Sequence, residues 1–248
     1  MISTGLDEDF KGDPIRTSVH MSRHIDTTYE TILAIAANGE DIPEDHGYPC
    51  RIFYPGFIGL RSTKWLGKIE ISDEESDSRY QKKMYKLYKD KNWNDVDPTK
   101  LPPPMDHIIN CVFTTPLKGA VLKCSANHPY VNVKGIAVGS GKEGARIVKV
   151  VISTDGGMTW EPAKITKREN KDPKARCFSW VQWEHEVKVD NPGKDHKPLT
   201  IICKAFDDKG NNMNRPKEEV FNLSGVMVNP PHEIPCFYSL HYDEWLAD

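Results

Sequence analysis

The sequence lacks an apolar run approaching the roughly 18 residues a membrane span needs, so no membrane partner is expected. Its opening, "MISTGLDEDFKGDP", is acidic and has no apolar stretch, so these residues are not expected to be a signal peptide. Its close, "YDEWLAD", is neither a retention nor a peroxisomal address. There is no excess of basic charge: 33 Lys and Arg stand against 36 Asp and Glu. Anion binding must therefore be local, and no nucleic-acid partner is expected. The six cysteines, Cys50, Cys111, Cys124, Cys177, Cys203 and Cys236, lie far apart, with no CxxC pair and no CxxCH haem site. They read as reduced, mostly core-filling thiols, and no zinc site is expected. Internal repeats and low-complexity tracts are absent as well.

At 248 residues and 38% hydrophobic content, the chain suffices for one large or two ordinary domains. "ETILAIAANGE" reads as a buried strand entering an Asn38-Gly39 turn, since Thr31, Ile32 and Ile35 are β-branched. "GKIEIS" alternates so that Ile69 and Ile71 share a face. At 97–107, "DPTKLPPPMDH" places three consecutive prolines where neither helix nor central strand tolerates them, and the domain break is expected there. Beyond it, 131–139, 145–153, 159–165, 178–189 and 199–207 are short runs of period-2 alternation. Val148, Val150 and Ile152 are expected on one face, leading into a hairpin at Asp155-Gly156-Gly157, with Trp160 after it. This half reads as an immunoglobulin-like β-sandwich.

The stretch "EDHGYPCRIFYPGFIGLRSTKW", residues 44–65, packs three glycines, two prolines, one histidine, two arginines and one lysine into 22 positions. It is too irregular for one helix and too basic for a core strand. It is a loop stiffened by Pro and Gly and studded with cations.

Those residues, with "QKKMYK", "ISTDGGMTW", "IICKAFDDKGN" and "FNLSGV", resemble the C-terminal portion of eukaryotic sulfite oxidases and the related assimilatory nitrate reductases. The resemblance runs from about Gly5 to about Phe237. It implies a mainly β chain with some α structure. Residues 1–100 would be the C-terminal part of a sulfite-oxidase-type molybdopterin domain, and 104–238 an immunoglobulin-like sandwich that forms a homodimer, with a tail at 239–248. The implied cofactor is molybdenum on a pyranopterin dithiolene, and the implied substrate a small oxyanion, sulfite. Asp7, His46, Arg51, Ser62, Thr63 and Lys64 fall on cofactor-binding positions, and Tyr85 on the active-site tyrosine. Their chemistry agrees: a carboxylate accepts from pterin N–H groups, an imidazole meets the pterin edge, and a guanidinium forks onto an oxyanion. By the resemblance the compartment is the mitochondrial intermembrane space, the peroxisome or the cytosol.

Two departures qualify the resemblance. The family's metal is held by a cysteine thiolate that lies upstream of the first residue here, and nothing in this chain resembles its segment. Cys50 sits where the family has an aliphatic residue and reads as a small buried hydrophobe. Second, sulfite-oxidising members read WNLRG where this chain has Phe221-Asn222-Leu223-Ser224-Gly225, so Ser224 replaces an anion-binding arginine. A nitrate-reductase-like fragment and a non-catalytic dimerising paralogue are the alternative readings. His20 and His24, four apart, and the Lys/Tyr run 79–91 are both read as solvated surface, the second beside the active site.

Overall fold

The computed structural model describes residues 1–25, 30–88, 96–125, 127–168, 172, 175–189 and 197–240. The end of the Lys/Tyr run and residues 241–248 of the expected tail lie outside the described residues. The chain divides into two compact units, residues 1–107 with 221–228, and residues 108–220 with 229–248. No helix among the described residues is long and apolar enough to cross a membrane.

In the first unit, β1 (Ile2–Glu8) is the middle strand of a three-stranded sheet between β2 (Pro14–Ser18) and β7 (Leu66–Glu70). Both pairings slip along β1, and Gly5 stands opposite Leu66 just past one slip. A helical turn, α1 (Ser22–Ile25), follows β2. Next come β3 (Ile32–Ala34), β4 (Ala36–Ala37) and β5 (Glu40–Asp41). β4 and β5 form the expected Asn38-Gly39 hairpin, whose two turn residues take φ of 56° and 86°. The strand before it is not buried, however: Ile32, Leu33 and Ile35 are all exposed. Among the described residues β3 pairs with β6 (Arg51–Phe53) alone, and a two-stranded ribbon cannot bury its own side chains. Ile69 and Ile71 are likewise exposed.

The second unit is the sandwich. One sheet runs β13-β14-β10-β8 and the other β12-β11-β15-β16-β9. The strands are β8 (Asn110–Thr115), β9 (Val121–Cys124), β10 (Tyr130–Val138) and β11 (Ile147–Ser153). After them come β12 (Glu161–Pro162), β13 (Lys164–Lys167), β14 (Val181–Lys188), β15 (Lys197–Asp207) and β16 (His232–Leu240). A helical turn, α2 (Lys217–Val220), precedes the return segment 221–228. Alternation sets the faces: Val131, Val133 and Ala137 of β10 are buried, while Tyr130, Asn132 and Lys134 face out. Gly135 sits opposite Trp183 of β14, and a Cβ there would lie 2.1 Å from the indole. The close approach requires glycine.

Gly156 and Gly157 carry the β11–β12 turn at φ of 73° and 90°. Val150 and Ile152 point inward as expected, but Val148 is 55% exposed. A register slip between Ile147 and Lys149 turns it outward. The cysteines are unpaired, five of them buried, and Cys111 and Cys203 approach within 3.6 Å in the sandwich core.

Candidate cofactor site

In the first unit the Gly/Pro loop folds back on itself. Gly47, at φ 106°, lies so close to the chain at Lys64 that a Cβ would come within 2.9 Å of the Lys64 Cβ. Trp65 takes a positive φ of 46° and its indole donates to the Glu44 carbonyl (2.8 Å). Leu6 N–H then donates to the Trp65 carbonyl (2.7 Å), bringing β1 alongside. These contacts gather Asp7, His46, Arg51 and the 62–64 stretch, residues drawn from three separate parts of the sequence.

The site residues do not all present free side chains. Arg51 donates to the carbonyls of His46 (2.9 Å) and Ser62 (3.3 Å), so its fork ties the loop together. Ser62 and Thr63 are buried: the Ser62 hydroxyl accepts from Tyr54 N–H, and Thr63 Oγ1 bonds Ser3 Oγ at 2.8 Å. Those hydroxyls are engaged inside the unit. Lys64 donates to the Asp45 carbonyl (2.9 Å) and lies over the Trp65 ring, and His46 is exposed.

Tyr85 follows a wide π-helical turn over Tyr80–Met84, a geometry common at functional sites. It is half-buried and its ring packs on Tyr80 at 5.6 Å. Burial raises its pKa; the positive charge of Arg61 opposes that rise and the negative charge of Asp7 adds to it. The phenol is therefore neutral at physiological pH. It also senses Asp7, which places the tyrosine and the cofactor-loop residues in one electrostatic neighbourhood.

Sequence reading overlooked Arg61, which is fully buried. It donates to Pro104 O (3.0 Å), Gln81 Oε1 (2.6 Å) and Tyr85 O (3.3 Å), and burial lowers its pKa to about 10. It remains charged at neutral pH and joins the Gly/Pro loop to the tyrosine segment. Its only signal in the sequence was an Arg in "GLRSTKW" with no obvious ligand role. The Lys/Tyr run also differs from a solvated face: Gln81, Lys86 and Tyr88 are buried, and Lys86 Nζ donates to Leu101 O. His20 and His24 bond Ser22 and Thr31 rather than each other. No group of His, Cys, Asp and Glu among the described residues is arranged to hold a metal.

The residues present were tested for fit to a pterin bearing an oxyanion. Asp7 Oδ1 and Arg51 Nε are buried without hydrogen-bond partners. One is an acceptor and the other a cationic donor, and buried groups of this kind call for a counterpart. The donor set suits such a ligand. Cys50 is the one cysteine of the loop; it is half-buried rather than buried, and its carbonyl accepts from Leu66 N–H.

Residues 103–237 match the Mo-co oxidoreductase dimerisation domain, and residues 1–80 the oxidoreductase molybdopterin binding domain. Mitochondrial sulfite oxidase of Homo sapiens is 33% identical over 95% of this chain and 41% of its own length. Sulfite oxidase of Gallus gallus is 34% identical over 92% and 47%, and an NADH nitrate reductase of Phaseolus vulgaris 32% over 88% and 25%. The chain thus spans about two fifths of the length of its mammalian relatives. A solved structure of the sulfane dehydrogenase SoxCD from Paracoccus pantotrophus shares the fold, with a TM-score of 0.68 over 94% of this chain and 53% of that one at 22% identity. The chain belongs to the sulfite oxidase family of molybdopterin-dependent oxidoreductases and carries that family's dimerisation domain.

Proposed function

We propose that this chain is the C-terminal portion of a molybdenum-cofactor sulfite oxidase, and that it supplies part of the cofactor cradle and the dimer contact but not the metal's thiolate. Residues 1–100 serve the cradle, 104–238 the two-fold pairing, and 239–248 are a tail. The observation that carries the reading is the pair of buried, unpartnered groups, Asp7 Oδ1 on β1 and Arg51 Nε on the loop that is tied down by its own carbonyls.

In this reading Asp7 accepts from pterin N–H groups and Arg51 Nε donates to the oxyanion end. His46 and the Lys64 ammonium flank that end, and the 62–63 backbone shapes it. The buried hydroxyls of Ser62 and Thr63 act only by holding the loop. The bound cofactor would supply two-electron redox chemistry at its metal. Tyr85, a neutral phenol whose pKa burial raises further, donates a hydrogen bond to an anionic substrate and orients it. Arg61 fixes the backbone of that tyrosine.

The test is metal and pterin analysis of the full chain purified from a cofactor-producing host. The chain alone is expected to hold no stoichiometric molybdenum, because an oxyanion cradle cannot replace a metal–sulfur bond. Joined to a family segment that carries the ligand cysteine, it should gain metal and oxidise sulfite. A molar equivalent of metal on the chain alone, or a loaded protein inert to sulfite, overturns the reading.

A further inference from the structure

We propose that Cys111 and Cys203 are a dithiol that closes to an inter-sheet disulfide when the chain folds in the presence of a small disulfide oxidant. The two lie on opposite sheets of the sandwich, Cys111 on β8 and Cys203 on β15, 92 positions apart in the chain. Both are fully buried, and their sulfurs meet at 3.6 Å. A disulfide needs about 2.05 Å between sulfurs, so each has about 0.8 Å to move.

Two features of the fold prepare them for that step. Phe113 N–H, two residues along β8, donates to His232 Nδ1 on β16 (3.1 Å), and His232 is the register partner of Cys203. This hydrogen bond ties the sheets together beside the thiols and fixes which sulfur faces which. β8 is also the outer strand of its sheet and, among the described residues, pairs with β10 alone. An outer strand shifts without disturbing a neighbour on its far side, so closure does not require the sheet to reorganise. Cys203, by contrast, is held between Ile152 of β11 and His232 of β16. The other buried thiols point elsewhere: Cys124, Cys177 and Cys236 donate to the carbonyls of Ser239, Ser179 and Leu199. Immunoglobulin domains carry an inter-sheet disulfide in this same layer.

The chemistry sets when the bond forms. Burial and the adjoining Cys111 thiol both raise the Cys203 pKa, so the folded pair stays as thiols, shielded from oxidants. Oxidation therefore belongs to the open chain. One cysteine thiolate attacks oxidised glutathione, forming a mixed disulfide and releasing one glutathione thiolate. Folding brings up the second cysteine, whose thiolate attacks the protein sulfur and releases the second glutathione. The two cysteines lose two electrons and two protons in all, and one glutathione disulfide becomes two thiols. A bond closing so long a loop chiefly restricts the unfolded chain, and so stabilises the folded one.

The test is refolding of the full chain from urea with oxidised glutathione, against refolding with reduced glutathione. After free thiols are alkylated, digestion without reductant should yield one linked pair of peptides, Cys111 with Cys203. The urea midpoint of the sandwich should rise by about 1 M, with an unfolding constant at least about thirtyfold smaller. Cys111→Ala and Cys203→Ala should each abolish the linkage and the gain, and Cys50→Ala, in the other unit, should keep both. Mapping of the wild-type chain decides the matter even if an alanine variant fails to fold. Linkage of other cysteines in place of this pair, mixed disulfides that never close, or a linked protein no more resistant to urea than the thiol form overturns the proposal.

Discussion

Replacing Arg61 with methionine tests whether a buried cation holds the cofactor unit together. Two opposed effects set the magnitude. Burial lowers the guanidinium pKa from 12.5 to about 10, so keeping the charge at neutral pH costs roughly 3 kcal/mol. Against this stand three hydrogen bonds from a charged donor, to Pro104, Gln81 and Tyr85, at about 1.5–3 kcal/mol each. Gln81 Oε1 keeps a second donor, Ser18 N–H, but the two carbonyls are left bare. The hydrogen bonds win, and Arg61→Met should destabilise the unit by about 2–5 kcal/mol, in the range for removing one member of a buried charged network. The assay is urea titration followed by hydrogen exchange, with peptides from β6 and the Tyr80–Met84 turn read against β10 and β14 as an internal reference. For a urea slope of about 1–3 kcal/mol per molar, the first set should lose protection roughly 1–2 M earlier while the sandwich is unmoved. Arg61→Lys keeps the charge but not the fork, and should fall between. A shift below about 0.3 M for Arg61→Met, or one shared equally by the sandwich, would refute the reasoning.

Gly135→Ala drives a methyl into Trp183 and the Val112 carbonyl (2.2 Å), and should cost the sandwich about 3 kcal/mol or more, read as a lower thermal midpoint. His232 Nδ1 accepts from Phe113 N–H (3.1 Å), and burial lowers its pKa, so below about 6.5 the unfolded chain takes up a proton that the folded one refuses. Sandwich stability should therefore fall as pH drops from about 6.5 toward the folded value, and His232→Gln should flatten that limb; an unchanged acid limb would rule the histidine out. Ser224 donates to Asn222 Oδ1 (2.6 Å) in the return segment 221–228. In the protein joined to the cysteine-bearing segment, Ser224→Arg should lower the Michaelis constant for sulfite by roughly 10- to 150-fold, the worth of about 1.5–3 kcal/mol per charge-assisted bond. Equal constants for the two forms would place Ser224 away from the anion.

The sandwich was legible because its signals are local. Period-2 alternation on β10, β14 and β15 and the Gly156-Gly157 turn follow from sterics that neighbouring residues decide among themselves. β16 was not, because "PHEIPCF" carries Pro235 inside a strand. The strand survives with β15 on one side and a parallel β9 on the other. The site residues were expected only from a motif. That Asp7 stands beside the 62–65 stretch follows from the Leu6–Trp65 hydrogen bond, and nothing in either segment announces it. Ser62 and Thr63 show the limit in the other direction, since residues that look like ligand hydroxyls are bonded inward. The burial expected of Ile32 and Ile35 failed for a different reason: alternation reports a face that seeks cover and does not say whether this chain provides the cover.

The two units are held by different physics. The sandwich has a contiguous apolar core around Trp183, so its stability comes mainly from area removed from water and belongs to the chain itself. The first unit buries polar groups instead. Ser3, Thr17 and Thr63 form a hydroxyl cluster, Thr17 reaches the Arg61 carbonyl, and Arg61, Gln81 and Lys86 are nearly inaccessible. Hydrogen bonds exchange with water at small net gain, so such a network specifies a geometry more than it drives folding. In the same unit Asp7 Oδ1 and Arg51 Nε are buried without a hydrogen-bond partner. Anything that satisfies them binds the folded unit and not the unfolded one, and stabilises it by RT ln(1 + [L]/Kd). A loop fixed by its own carbonyls, on a unit short of apolar core, is thus a scaffold whose order is completed by what it holds.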